Sequence, residues 1–314
     1  MKSIHKKKVQ LALGSGGARG IAHLGVMDEL LERGYEITGI SGTSMGAVVG
    51  GIYAAGFHNV YKEWMLSINK TRVFNLMDFT LEKQGFLKGE KVFEELETIL
   101  QKPRIEQFSI PFTAVAADLT HKTEVWFNSG DLFAALRASI AIPGVFTPVV
   151  QDEYVLVDGA VLNPIPINAL TPNEDEFILA VNLYGLDSYK SGEKKSSVDE
   201  FKILDEIKSW LNIQSKSTKP AIPKAKKHQQ SFQNMLYYSF QMTQDRLTEL
   251  MMEKYPPDLR IDIPRGICGT FDFHRTKDLI AVGREACREA LNHYEKEQWD
   301  YYHYSTKSNR PPKL

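Results

Sequence analysis

The 314-residue sequence predicts an α/β fold with a mostly parallel central sheet covered by helices on both faces. Two observations support this prediction. An apolar strand, a glycine-containing turn and a helix follow one another twice near the start of the chain, which is typical of parallel sheets. The hydrophobic fraction of 43% and the charged fraction of 25% are those of a globular protein. Because the chain is long for one domain and short for two, we expect one large domain with insertions.

The predicted elements follow from hydrophobic periodicity. The first unit has a strand at 9–13, a glycine-rich loop at 14–20 and a helix that ends before Gly34. The second unit has a strand at 37–40, a tight turn at 41–46 and a helix of small residues at 47–55. Further helical patterns cover 61–101, 132–140, 232–252 and 276–295, and further strands are predicted at 112–117, 124–127, 154–157, 177–183 and 259–263.

The domain is predicted to extend from residue 8 to residue 300. A basic N-terminal segment, 1–7, precedes it, and a tail, 301–314, is expected to be disordered because it has no apolar period. Residues 187–230 are rich in Lys and Ser, which predicts a mobile insertion. The lysines of this insertion are either part of a solvated linker or a contact for an anionic membrane surface.

Composition excludes several classes of protein. The formal charge of −1 provides no field that favours nucleic acid, so no nucleic-acid partner is expected. Two cysteines form no disulfide framework, and the apolar run after the basic N-terminus is too short for a signal peptide. No apolar run reaches the length of a membrane span. We therefore expect a cytoplasmic protein and leave a peripheral membrane contact open, and the sequence contains no signal for an oligomeric state.

Ser44 stands in a Gly-x-Ser-x-Gly turn, Gly42–Gly46, between a predicted strand and a predicted helix. A serine hydroxyl is a weak nucleophile that needs a fixed, accessible position and a base within reach. A sharp strand-to-helix turn supplies that position, and the two glycines leave room for its strained backbone. The pattern indicates a nucleophilic serine, with a helix-capping serine in a glycine-rich turn as the alternative.

The loop at 14–20 is a candidate oxyanion hole. Gly16, Gly17 and Ala18 have no bulky side chains, so their N–H groups can face a developing negative charge at the start of a helix. Arg19 is expected either to meet a phosphate head group or to hold the loop in place. A dinucleotide-binding loop requires Gly-x-Gly-x-x-Gly/Ala, and Arg19 occupies the last position, so that alternative fails.

Asp158 is the candidate base for Ser44. It follows an apolar strand and precedes Gly159, and functional groups of α/β sheets gather at the carboxyl ends of strands. The alternative is an aspartate that caps a turn. A Ser–Asp–His triad in that chain order would use His274, which lies in a loop without a motif. His23 lies near the glycine loop and is more simply interpreted as a packed helix residue.

Together these motifs resemble the patatin-like phospholipase family, especially its bacterial members. The resemblance rests on Ser15–Gly20 (SGGARG), Gly42–Gly46 (GTSMG) and Asp158–Ala160 (DGA), in this order. Residues 138–146 are similar to another block of the family, 85–89 are a weaker match, and the resemblance covers about residues 8–185. One departure is Ser15, which stands where the family has the first glycine of its loop.

The resemblance implies a three-layer α/β/α fold and a lipid acyl hydrolase of the phospholipase A or lysophospholipase type. It implies that Ser44 is the nucleophile, that Asp158 is the base without a histidine, and that Gly16, Gly17 and Ala18 form the oxyanion hole. No metal and no other cofactor is implied. An acyl chain would need an apolar trough, for which Met45, Phe146 and the stretch 232–252 are candidates, although the apolar face of 232–252 is more simply interpreted as core packing.

Three alternatives stay open at this point. An acyltransferase, or an esterase with a Ser–Asp–His triad, would use the same nucleophile turn. A lipid-binding regulator would keep the fold without catalysis.

Overall fold

The computed structural model of the protein describes residues 7–78, 87–185 and 232–308. Its strands are β1 Lys7–Leu13, β2 Tyr35–Thr43, β3 Phe112–Asp118, β4 Thr123–Phe127, β5 Val149–Gln151, β6 Tyr154–Asp158, β7 Glu176–Gly185 and β8 Leu259–Pro264. Its helices are α1 Ala22–Glu32, α2 Met45–Ala54, α3 His58–Leu66, α4 Lys70–Leu76, α5 Glu90–Leu100, α6 Leu132–Ser139, α7 Phe232–Lys254 and α8 Thr276–Ser308.

In the described part of the chain, the strands form one mixed sheet in the order β5-β6-β3-β2-β1-β7-β8, with β4 beside β3. The pairs β1–β2, β1–β7, β2–β3 and β7–β8 are parallel. The pairs β3–β4, β3–β6 and β5–β6 are antiparallel. The predicted parallel sheet is therefore confirmed for β1, β2, β3, β7 and β8, and an antiparallel edge adjoins it.

Helical and loop layers cover both faces of the sheet, as predicted. Leu11 and Leu13 of β1 pack into a core with residues of α1, α2 and α8. Ala12 points to the other face, where it packs with Ile165 and with Met252 of α7. This alternation is that of a strand buried on both sides, and it gives the three-layer α/β/α architecture.

Strand β3 determines where the site forms. Its first half pairs with β2, with Val115 opposite Thr43. Its last residues pair with β6, with Ala116 opposite Asp158. Since Val115 and Ala116 are neighbours, the end of β2 and the end of β6 meet at the same place on β3.

Most predicted elements are present with bounds shifted by a few residues, and three differences stand out. Strand β5 was not predicted, because its three residues are too few for a periodic signal. Strand β1 begins at Lys7, inside the segment assigned to the basic N-terminus. Helix α8 continues to Ser308 although a disordered tail was expected from 301, because no Gly or Pro interrupts the chain between Gly283 and Pro311. The predicted insertion at 187–230 lies outside the described residues.

Candidate active site

Ser44 occupies the sharp turn between β2 and α2. Strand β2 ends at Thr43 and α2 begins at Met45, so a single residue makes the turn. The backbone of Ser44 has φ 56° and ψ −124°, in a region that side-chain-bearing residues rarely adopt. Such strain persists only where the surrounding structure imposes it, and it is typical of functional positions. The predicted sharp turn between strand and helix is therefore present, and Ser44 is 3% exposed.

The glycines on either side of Ser44 are required by close packing. A Cβ atom at Gly46 would lie 2.1 Å from the carbonyl oxygen of Leu13, and one at Gly42 would lie 2.5 Å from the backbone of Gly46. Any side chain at these positions would push α2 away from β1 or open the turn. The spacing of the motif thus follows from how tightly the helix returns onto the sheet.

Ser139 holds the backbone of the turn from the opposite side. The N–H of Ser44 donates to Ser139 Oγ at 2.9 Å, and that hydroxyl donates to the carbonyl oxygen of Val115 at 2.6 Å. Sequence reasoning did not single out Ser139, although it lies in the block 138–146 that resembles the family. Because its partners come from two other elements, no local pattern marks its role.

Asp158, at the carboxyl end of β6, is brought to Ser44 by the strand register. Ser44 and Asp158 line one cavity, and the Ser44 hydroxyl acts to lower the pKa of the Asp158 carboxyl group. The N–H of Ala160 donates to Asp158 Oδ1 at 2.8 Å, and the Asp158 N–H donates to the carbonyl oxygen of Ala141 at 2.9 Å. The turn-capping role considered as an alternative is therefore also present, since one carboxylate oxygen caps the turn at Ala160.

Burial raises the pKa of Asp158 from 3.8 to about 7. The Ser44 hydroxyl and the hydrogen bond from the Ala160 N–H act in the opposite direction and are outweighed. Asp158 is 2% exposed, so its charged form has lost most of its hydration. A carboxylate with a pKa near neutrality is a far better base than an ordinary aspartate.

The glycine loop brings two backbone donors to the same cavity. Gly16 and Gly17 line the cavity that contains Ser44 and Asp158. Within the residues that the structure describes, neither N–H group donates a hydrogen bond. The N–H of Ala18 differs from the expectation, because it donates to the carbonyl oxygen of Thr270 at 2.9 Å. The N–H of Ala18 therefore anchors the loop.

Arg19 links the glycine loop to the segment 265–268. Its Nη1 donates to the carbonyl oxygens of Arg265, at 3.2 Å, and Cys268, at 3.5 Å. The guanidinium carbon lies 5.5 Å from the ring centroid of Tyr184. Of the two roles expected for Arg19, loop support thus has direct contacts, although the residue also lines the cavity.

Neither histidine considered for catalysis contacts Ser44 or Asp158. His23 is fully buried, its Nε2 donates to the carbonyl oxygen of Gly14 at 2.9 Å, and burial lowers its pKa to about 4. His23 is therefore a neutral packing residue, as the simpler interpretation held. His274 lies 4.0 Å from Asp272, and the described residues lining the Ser44 cavity include no histidine.

Two cavities adjoin the turn at Ser44. The larger, about 760 Å³ with the space open to solvent included, is walled almost wholly by apolar side chains of α2–α5 and of the loops next to them. These include Met45, Trp64, Val73, Leu96, Phe146 and Phe271. The smaller, about 450 Å³, contains Ser44, Asp158, Gly16 and Gly17. Met45 and Phe146 thus line an apolar trough, as expected. The opposite wall of this trough comes from α3–α5 and not from the stretch 232–252. The described residues of that stretch that line a cavity are Phe240, Gln241 and Gln244, and they line the smaller one.

Two further features bear on function. In the described ranges, no three His, Cys, Asp or Glu side chains are grouped so that they could bind a metal ion. Among the described helices, none combines the length and the apolar character that crossing a membrane requires.

Comparison with known proteins assigns the family. A profile described as "Patatin-like phospholipase" matches residues 11–171, about half of the chain. An uncharacterized NTE family protein of Mycobacterium tuberculosis (strain ATCC 25618 / H37Rv) is 35% identical over 333 aligned positions, which cover 92% of each chain. Lysophospholipase NTE1 of Kluyveromyces lactis is 28% identical over 65% of this chain and 14% of that protein. VipD from Legionella pneumophila superposes with a TM-score of 0.46 and 13% identity, over 92% of this chain and 67% of that one. The chain belongs to the patatin-like phospholipase family.

Proposed function

We propose that the protein is a serine lipid acyl hydrolase of the phospholipase A or lysophospholipase type, which works through a Ser44–Asp158 dyad and an acyl-enzyme intermediate. The observation that carries the proposal is that the register of β3 brings Ser44, on a strained turn, into one cavity with Asp158, a buried carboxyl group whose pKa is about 7. An alcohol and a base in one cavity, next to two backbone N–H groups that donate to no other described residue, are the parts that acyl transfer needs.

In the first step Ser44 Oγ attacks the ester carbonyl carbon while its proton passes to Asp158. The carbonyl oxygen becomes an oxyanion, and the N–H groups of Gly16 and Gly17 stabilise it. Donors fixed in advance are worth most in a cavity with little water, because they need no reorganisation when the charge develops. The alcohol then leaves with the proton from Asp158, and Ser44 stays acylated.

In the second step a water molecule takes the place of the alcohol. Asp158 accepts a proton from this water, whose oxygen attacks the acyl carbon through the same oxyanion geometry. Collapse of the intermediate returns the proton to Ser44 and releases the fatty acid. Both steps need the ionised form of Asp158, so we expect activity to rise with pH through about 7.

The apolar cavity supports a lipid as the substrate. Its near absence of polar atoms suits an alkyl chain. Met45, the residue after the nucleophile, lines this cavity, so a chain attached to the reacting carbonyl can enter it directly. The name of the yeast relative, a lysophospholipase, agrees with this class of substrate.

The test compares Ser44→Ala, Asp158→Asn and wild type for release of fatty acid from a lysophospholipid. We expect Ser44→Ala to abolish release and Asp158→Asn to lower kcat by at least about a hundredfold. Ser239→Ala is the matched control, because it removes an exposed hydroxyl on α7 that bonds the carbonyl oxygen of Met235. Fatty acid release by Ser44→Ala at the rate of the control would overturn the proposal.

A further inference from the structure

Helix α7 buries a polar stripe. Among the α7 residues whose side chains the structure describes, the most buried are Gln241, Gln244, Thr248 and Met252, which are spaced three or four apart and therefore share one face. Met242, on another face of the same helix, is 71% exposed. A helix that packs only on a core shows the reverse pattern, with apolar residues inside. The polar face of α7 therefore needs an explanation other than core packing.

The stripe connects to the glycine loop through Tyr184. The Tyr184 hydroxyl donates to Gln244 Oε1 at 3.4 Å and lies 3.0 Å from Ser15 Oγ. Ser15 belongs to the loop, Tyr184 to the end of β7, and Gln244 to α7, so three elements meet in one hydrogen-bonded wall. All three residues line the cavity that contains Ser44 and Asp158.

This wall keeps hydrogen-bonding capacity for a ligand. Gln244 is 5% exposed, yet its carboxamide NH₂ group donates to none of the described residues. Ser15 is also buried, and among the described residues its hydroxyl bonds only Tyr184, which leaves a lone pair unused. Burying a polar group that lacks a hydrogen-bond partner costs free energy. Native structures therefore keep such groups mainly where a ligand or a water molecule supplies the missing partner.

The groups in the wall are neutral. A hydroxyl and a carboxamide bind another hydroxyl by giving and accepting hydrogen bonds, without selecting for charge. The two guanidinium groups next to the Tyr184 ring, those of Arg19 and Arg265, make contacts of their own: Arg19 with backbone carbonyls and Arg265 with Asp245. The chemistry of the wall is thus that of a polyol subsite.

We propose that Ser15, Tyr184 and Gln244 form a leaving-group subsite that binds a free hydroxyl of a glycerol-type alcohol. The inference rests on the proposed function and extends it, because it divides the substrate between the two cavities. The acyl chain enters the apolar cavity past Met45, and the alcohol lies on the polar wall. The preferred substrates are esters whose alcohol carries a hydroxyl next to the ester, as in monoacylglycerols and lysophospholipids.

The test uses two octanoate esters that differ only in hydroxyl groups, 1-monooctanoylglycerol and propyl octanoate. We expect wild type to favour the glycerol ester in kcat/KM by about tenfold or more, the value of one or two hydrogen bonds to a buried site. Ser15→Gly, Tyr184→Phe and Gln244→Leu should each lower this ratio by about three- to tenfold. Thr243→Val, which changes an exposed neighbour on α7, should keep the wild-type ratio.

Activity on propyl octanoate reports whether each variant is folded. A ratio near one in wild type, or wild-type ratios in all three variants, would overturn the subsite while leaving the hydrolase intact. Equal losses on both esters would also overturn it and would assign the wall a structural role. Cleavage of neither ester by wild type would instead refute the proposed function, and the subsite with it.

A second arm identifies the source of the hydroxyl. It compares a short-chain lysophosphatidylcholine with its 2-deoxy analogue. A preference for the hydroxyl-bearing lipid that the Tyr184→Phe variant loses would assign the subsite to lysophospholipids. A preference confined to the glycerol ester would assign it to neutral glycerides. Absence of a preference in both arms would contradict the proposal.

Discussion

Replacing Asp158 with asparagine should make the fold more stable at alkaline pH while it removes catalysis. Asparagine keeps the shape of the side chain and an acceptor oxygen for the Ala160 N–H, which now bonds Oδ1 at 2.8 Å. It removes the titratable proton. The wild-type carboxyl is held in a site that disfavours its charge, since burial raises its pKa to about 7.

The direction and the size of this pH-dependent change in stability follow from the pKa of Asp158. The folded state binds the Asp158 proton more tightly than the unfolded state, so this contribution to stability is full below about pH 3.8 and is lost as the pH rises through about 7. The pKa difference of about three units corresponds to about 4 kcal/mol as an upper value. Between about pH 5 and pH 8 we expect wild type to lose about 3 kcal/mol relative to Asp158→Asn.

Urea unfolding followed by tryptophan fluorescence, at several pH values in that interval, measures the free energy of unfolding of both proteins. The informative quantity is the difference between the two curves, because other titrating groups contribute to each. Asp152→Asn, on an exposed turn, is the matched control and should run parallel to wild type. A difference between wild type and Asp158→Asn that does not change with pH would refute the argument.

Four further predictions concern activity. Ser139→Ala leaves the Ser44 N–H and the Val115 carbonyl without their partner, so we expect a loss of about 1–3 kcal/mol in stability and a fall in kcat; wild-type kcat would contradict this. Val73→Phe narrows the apolar cavity and should lower kcat/KM for long acyl chains by about tenfold more than for short ones; equal losses would exclude that cavity as the acyl site. His274→Ala should keep kcat within about twofold of the wild-type value, and a hundredfold loss would instead support a Ser–Asp–His triad that includes His274. For wild type, kcat/KM should rise with pH to a plateau with a midpoint near 7, and a midpoint near 4 would contradict the buried base.

Local sequence signals were sufficient for the elements that are periodic and long. The strand–turn–helix unit around Ser44 could be predicted because glycine spacing, an apolar strand and a helix of small residues are all contiguous in the chain. The strand β5 could not, since its three residues are too few for a periodic signal, and the antiparallel direction of β6 could not, since it depends on pairing with the distant strand β3. A different reason applies to α8, whose C-terminal part has no apolar period but also no helix-breaking residue.

For the site, residue types were predictable and contacts were not. Ser44 and Asp158 carry motifs, but the register that brings them to neighbouring positions on β3 appears only in the folded sheet. Ala18 was expected to offer its N–H to an oxyanion, and its bond to Thr270 became visible only with the loop in place. The polar face of α7 was hidden because its apolar residues, taken alone, suggest core packing.

The central claim is that Ser44 is the nucleophile and Asp158 its base. The most direct test is labelling with a fluorophosphonate probe, followed by mass spectrometry of the peptides and by rate measurements across pH. We expect the adduct on Ser44, a rate that rises with pH around 7, and a rate at least about a hundredfold lower in Asp158→Asn. An adduct on another residue, or labelling of Asp158→Asn at the wild-type rate, would contradict the account.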